Sequence, residues 1–216
     1  MLAATFIVLA STFSVAFVEA NFLEVRRPLI ACKEPRVVGS LLLEKSSGKT
    51  LAPSFHGVTD SKSRALLTTS VKGHRTPGSP FRFTECSSGV MPETGAGNPD
   101  GSITYYGQLR SDSQPDQCVT AATIGRSSPT TELVSQPCST TDNSGLISQW
   151  FALTEHQVLG KPSTYALNYV GKTAFSTDNS TYGWTSARAT NGARQIELVY
   201  SKDGNISTGY SATIRP

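Results

Sequence analysis

Three segments of this chain superpose on one another: SSGKTLAPS (46–54), QPDQCVTAA (114–122) and YVGKTAFST (169–177). The correspondence extends on both sides of the first two. Gly39-Ser40-Leu41 aligns with Gly107-Gln108-Leu109, and Phe81-Arg82-Phe83-Thr84-Glu85 aligns with Phe151-Ala152-Leu153-Thr154-Glu155. Self-similarity of this kind is the mark of a fold assembled from repeated units. Two units are long, the third is shorter, and each is too small to bury a core alone. A single domain is therefore expected over residues 21–216.

Within the units, short apolar or alternating stretches such as 39–44, 103–110, 150–155 and 195–200 are separated by clusters of Ser, Thr, Gly, Pro, Asn and Asp. This is strand-and-turn patterning. No window sustains a period near 3.6, so little helix is expected. About twelve strands in three groups, without alternating helices, predict an all-β barrel or sandwich.

Residues 1–20 (MLAATFIVLASTFSVAFVEA) form an apolar, small-residue run, with Val18 and Ala20 placed as in a cleavage site. It reads as a secretory signal peptide rather than a membrane anchor. No later segment approaches the ~20 apolar residues needed to span a bilayer. The chain is thus expected to be secreted and extracellular, without membrane insertion. Its 19 Lys and Arg against 16 Asp and Glu are not gathered into a basic stripe with interleaved aromatics, which argues against nucleic-acid binding.

Four cysteines, an even number in an exported chain, imply two disulfides rather than a metal site. The repeat alignment puts Cys118 and Cys138 in one unit and leaves Cys32 to join Cys86 across the first. There is no Cys-x-x-Cys pair, and His56, His74 and His156 stand apart. No metal and no cofactor are expected.

The second unit, Gly107 to Leu153, resembles a repeat of the ricin-B-type β-trefoil family, in particular its secreted fungal members. The resemblance rests on Cys118-Val119, Cys138, Gln149-Trp150 and the preceding Tyr105-Tyr106. It implies a β-trefoil of three units (roughly 32–88, 103–155 and 156–202) about a pseudo-threefold axis, with Trp150 as a core plug. It also implies carbohydrate binding. The departures bear on that function. Sugar-binding members carry an Asp after the Cys-Leu pair, where this chain has Thr120, with Ala52 and Phe175 at the equivalent places; Ser148 stands where the family's Gln precedes the Trp. A carboxylate there would make the stronger, charge-assisted contacts to hydroxyls. The remaining sugar platform is in the third unit: Asp178, Tyr182 and Trp184, with Trp184 as a core residue the competing reading. Phe55, His56 and Asp60 form a weaker version in the first unit.

Catalytic patterns are missing: no Gly-x-Ser-x-Gly elbow, no His-Glu-x-x-His, no Ser-x-x-Lys set. Gly48-Lys49-Thr50 and Gly171-Lys172-Thr173 are turns rather than phosphate loops, because Leu43 and Ala166 occupy the place of the required leading glycine. Asn179-Ser180-Thr181 and Asn205-Ile206-Ser207 are glycosylation sequons, which places Asn179 and Asn205 on surface loops. The expectation is a non-catalytic, exported protein that binds an extracellular glycan or cell-wall polysaccharide. The alternative is an inhibitor or effector that contacts an extracellular protein through its loops.

Overall fold

The side-chain alternation read from the sequence is realised strand by strand. On β5 (Phe81–Ser87), Phe81 and Phe83 point inward and Arg82 outward; on β9 (Phe151–His156), Phe151 and Leu153 do the same around Ala152; on β12 (Arg194–Ser201), Ile196 and Leu198 point inward and Gln195 and Glu197 outward. Successive strand residues face opposite sides, so one apolar set per strand fills the interior. These six inward side chains are all buried in one cluster with Leu41, Leu67, Leu109, Leu133 and Trp184. The computed structural model describes residues 28–69, 79–95, 97–124, 129–188, 193–206 and 209–216, with the backbone alone at His56. The segment 1–20 and His74 lie outside the described residues.

The other strands are β1 (Ala31–Lys45), β2 (Thr50–Leu51), β3 (Pro53–Thr59), β4 (Ala65–Thr69), β6 (Ile103–Ser111), β7 (Gln117–Ala121), β8 (Thr130–Pro137), β10 (Thr164–Tyr169), β11 (Thr181–Arg188) and β13 (Tyr210–Arg215). A short 3-10 helix, Ser144–Gln149, precedes β9, and Asn143 caps it by accepting from the Gly145 amide. Every pairing is antiparallel. The hydrogen-bonded circuit β1-β5-β6-β7-β8-β4-β12-β11-β13 returns to β1 and closes a nine-stranded barrel. Strands β9 and β10 link β6 to β13, β2 pairs with β1, and β3 with β4.

This corrects the fold expected from the repeats. The protein is a closed antiparallel barrel with additional strands, not a β-trefoil. The described strands number thirteen rather than about twelve, and pairings such as β8–β12, β4–β12 and β4–β8 run across the anticipated unit boundaries. The landmarks also differ in backbone conformation. Gly48 and Gly171 sit at φ +81° and +64°, whereas Asp116, in the turn where the Gln117 amide bonds the Gln114 carbonyl, is not in the left-handed region. The shared Gly-Lys-Thr and Asp-Gln-Cys sequences report local turn chemistry. The strand partners are chosen by long-range pairing, which turn sequences do not encode. The aligned pair Gly39 and Gly107 does have one common cause. A Cβ at Gly39 would lie 2.2 Å from the Arg215 carbonyl oxygen, and one at Gly107 2.0 Å from that of Thr84, so both positions exclude any side chain where strands cross closely.

Two disulfides join Cys32 to Cys86 and Cys118 to Cys138, the pairings expected from the alignment. The first links directly opposed residues of β1 and β5, and the second ties the start of β7 to the segment after β8. Each restricts the unfolded chain, contributing roughly 3–4 kcal/mol. Trp150 is fully buried, but in a satellite cluster with Cys86, Met91 and Leu146 rather than in the main core, and its Nε1 donates to the Pro92 carbonyl at 3.0 Å. It seals the loop 88–94 against the barrel. Trp150→Ala should cost ~3–5 kcal/mol, measured as a loss of urea midpoint without a change of m-value.

A buried carboxylate closes one side of the β1, β6, β9 and β10 group. Glu155 is 5 % exposed and accepts from Arg36 Nη2 at 2.8 Å and Gln157 Nε2 at 3.1 Å; Arg36 also donates to the Tyr105 hydroxyl and stacks 4.2 Å over its ring. Burial by itself would raise the Glu155 pKa, but hydrogen bonds from Arg36, Ser163 and Gln157 hold it below the ordinary carboxylate value. A carboxyl depressed in the folded state contributes stability that is present above its unfolded pKa of about 4.3 and is lost as pH falls through the lower folded value. Arg36→Met should therefore destabilise the protein by ~2 kcal/mol at pH 7, less than a fully buried pair because Arg36 is partly solvated. The difference from the parent should shrink in melts below pH 4.

Candidate functional site

The pairing of β13 with both β1 and β11 leaves a groove of about 510 Å³ on the barrel surface. Its floor and walls follow from register. Tyr210 lies directly opposite Trp184 on one side and Lys45 on the other, and Ser211 opposite Glu44. Asn168, at the end of β10, and the turn at Gly204 complete the rim.

The aromatic groups here divide by burial. Trp184 is 2 % exposed; its Nε1 donates to the Leu167 carbonyl at 3.1 Å and its ring stacks on Phe151 at 6.4 Å. Tyr182, at 9 %, packs edge-on against Tyr169 and Tyr200. Tyr210 is half-buried, with Lys45 Nζ 6.0 Å from its ring centre and its hydroxyl 3.5 Å from Ser186 Oγ. Of the three aromatic residues, Tyr210 is the least buried. Glu44 is held by Arg215 Nη2 at 3.4 Å with much of its carboxylate still in solvent, and Asn168 and Ser211 are exposed. These groups offer one apolar ring, a carboxylate acceptor, an amide and a hydroxyl, an arrangement suited to a polar, hydroxyl-rich ligand and carrying no nucleophile–base pair.

The structure brings Tyr182 and Trp184 together at the groove but leaves Asp178 apart from it. Asp178 is on the exposed loop before β11, where its Oδ1 accepts from Ser180 Oγ at 2.6 Å. That bond, opposed by partial desolvation, holds its carboxyl below the usual range. Asn179 and Asn205 are both exposed, and the Asn179 carbonyl would meet a Cβ at Gly204 at 3.2 Å, so the two sequon loops adjoin at the groove rim. Ser207 of the second sequon lies outside the described residues.

The positions that replace the family's sugar carboxylate have separate fates. Thr120 is buried, donating to the Cys118 carbonyl and accepting from Gln149 Nε2 at 3.1 Å. Gln149 is itself buried: its amide also donates to the Pro137 carbonyl, and its Oε1 accepts from the Ser139 amide at 2.8 Å. These bonds tie the β7–β8 hairpin to the 3-10 helix. Ala52 is exposed, and Phe175 is 74 % exposed. In the first unit, Asp60 is paired with Arg64, and the side chain of His56 lies outside the described residues.

None of Tyr210, Glu44 and Asn168 is singled out by the sequence pattern: Tyr210 lies beyond the third unit, which ends at residue 202, while Glu44 and Asn168 lie inside the first and third units and reach the groove only through the β1–β13 and β10–β13 pairings. The signal available was the alternation Tyr210-Ser211-Ala212-Thr213-Ile214 following Gly209. No protein-family model matches the chain, and no curated protein matches it. No helix among the described residues is long and apolar enough to cross a membrane. The burial difference has a direct readout. Trp184→Ala should lower the melting temperature sharply in circular dichroism, while Tyr210→Ala should leave the melt within a few degrees of the parent.

Proposed function

We propose that this chain is a secreted, non-catalytic carbohydrate-binding protein whose ligand surface is the groove between β11 and β13. One observation carries the reading: the half-exposed Tyr210 lines one groove with Glu44, Asn168 and Ser211, all reachable from solvent. A pyranose needs an apolar ring face to cover and fixed polar groups at its edge. Tyr210 supplies the first, and the three polar side chains the second. Glu44 takes the role of charge-assisted acceptor that Thr120, Ala52 and Phe175 do not provide. Two disulfides are consistent with an extracellular protein, and the apolar run at 1–20 supports export.

With one ring and a shallow groove, affinity for a single sugar unit is expected near millimolar, about 4 kcal/mol. A glycan array probed with the enzymatically deglycosylated protein tests the class of ligand. Titration of the best hit should then show at least tenfold weaker binding for Tyr210→Ala, with an unchanged circular dichroism spectrum. Binding that survives Tyr210→Ala removes the groove from the reading, and an array without hits removes the carbohydrate.

A second reading is favoured by the turn between β9 and β10, where Val158 and Leu159 are exposed side by side. An apolar loop tip on a rigid barrel suits contact with a protein partner, as in a secreted inhibitor or effector. Leu159→Ser would abolish such contact while leaving glycan binding untouched.

A further inference from the structure

On the outward face where β4, β8 and β12 meet, four oxygen-bearing side chains converge. Thr68 lies directly opposite Gln195, and Glu132 directly opposite Glu197, while Leu66 opposite Val134 sets the same phase between β4 and β8. Thr68, Glu132, Gln195 and Glu197 therefore share one face, the reverse of that on which Leu67, Leu133, Ile196 and Leu198 fill the core. Gln195 Nε2 donates to Glu132 Oε1 at 2.9 Å and to Glu197 Oε1 at 3.3 Å, so both carboxylates are within reach of one amide.

Two features of this cluster are unresolved by the protein's own groups. Like charges directly opposed across strands repel, and among the described residues no Lys or Arg forms an ion pair with either glutamate. The second is independent of the carboxylates. Thr68 is fully buried, and among the described residues its Oγ1 has no hydrogen-bond partner, although register turns it to the same face. Such a buried, unsatisfied hydroxyl is destabilising unless something meets it.

We propose that Glu132, Glu197, Gln195 and Thr68 form a binding site for a hard divalent cation, calcium. The glutamates supply charge, the Thr68 hydroxyl a neutral oxygen, and Gln195 a second neutral oxygen once its amide turns Oε1 toward the ion. The oxygen and nitrogen of a glutamine amide are nearly equivalent in shape, so this turn needs no backbone movement. Calcium accepts six to eight oxygens in flexible geometry, the remainder coming from water. Two carboxylates give low charge density, which places the expected dissociation constant at about 10⁻⁴–10⁻³ M, the range of extracellular modules. The site is built on strands other than those of the Tyr210 groove, so its test is separate from that of carbohydrate binding.

The full chain, stripped with chelator, is titrated with calcium chloride by isothermal calorimetry at pH 7.4 and melted with and without 10 mM of the salt, with magnesium chloride as control. Calcium should raise the melting temperature by about 3–5 °C, and magnesium much less. In Glu132→Gln/Glu197→Gln the calcium shift should vanish, while the ion-free protein melts no lower than the parent, since the repulsion is relieved. Thr68→Val should keep the fold and weaken calcium binding severalfold. No heat and no shift in the parent overturn the proposal, as does a shift that persists undiminished in the double variant.

Discussion

The pairing of the first described strand with the last holds the architecture together. Six consecutive residues of β1, Ser40 to Lys45, lie opposite Arg215 to Tyr210 of β13, and that ladder closes the nine-stranded circuit. Closure requires the backbones to approach so tightly at Gly39 that no side chain is tolerated there. The same ladder makes the candidate site. It brings Glu44 and Lys45 from one end of the chain against Tyr210 and Ser211 from the other, and β11 adds Trp184 as the buried floor. A ligand surface composed of sequence-distant residues is thus a by-product of closing the barrel.

Around this closure, buried polar groups are as a rule satisfied, the Arg110 Nε being an exception. Gln149 uses both ends of its amide to bind the Pro137 carbonyl and the Ser139 amide, and its remaining hydrogen meets Thr120. Glu155 is held by a guanidinium and an amide. Each network joins an element to a neighbour that apolar packing alone would leave free to slide. The face around Glu132, Glu197 and Thr68 breaks this rule, because a buried hydroxyl and two opposed carboxylates there have only Gln195 between them. Departures from polar satisfaction in an otherwise consistent structure are the places where function is expected to leave its mark.

Much of the interior was legible in the chain itself. Phe81, Phe83, Phe151, Leu153, Ile196 and Leu198 are inward because a strand alternates faces, and only one phase of each segment is apolar. The cysteine pairing followed from which unit each residue belonged to. Trp150 is buried, as its motif implies, but in the satellite cluster rather than the main core. Its sequence neighbours give no sign that the loop 88–94 folds over it. The three similar segments do not make a trefoil for a related reason: matching turns at 48, 116 and 171 carry no information about which strands pair across the barrel.

The chain by itself determined that this protein is all-β and bridged by Cys32–Cys86 and Cys118–Cys138, because strand periodicity is written over a few residues and four cysteines in matching segments leave few pairings. Only the tertiary structure decided the strand order, the burial of Trp184, the exposure of Tyr210 and the meeting of Thr68 with Glu132, Gln195 and Glu197. Those facts depend on contacts between residues far apart in the chain. Their free energies are set by closure and packing, which no local pattern contains.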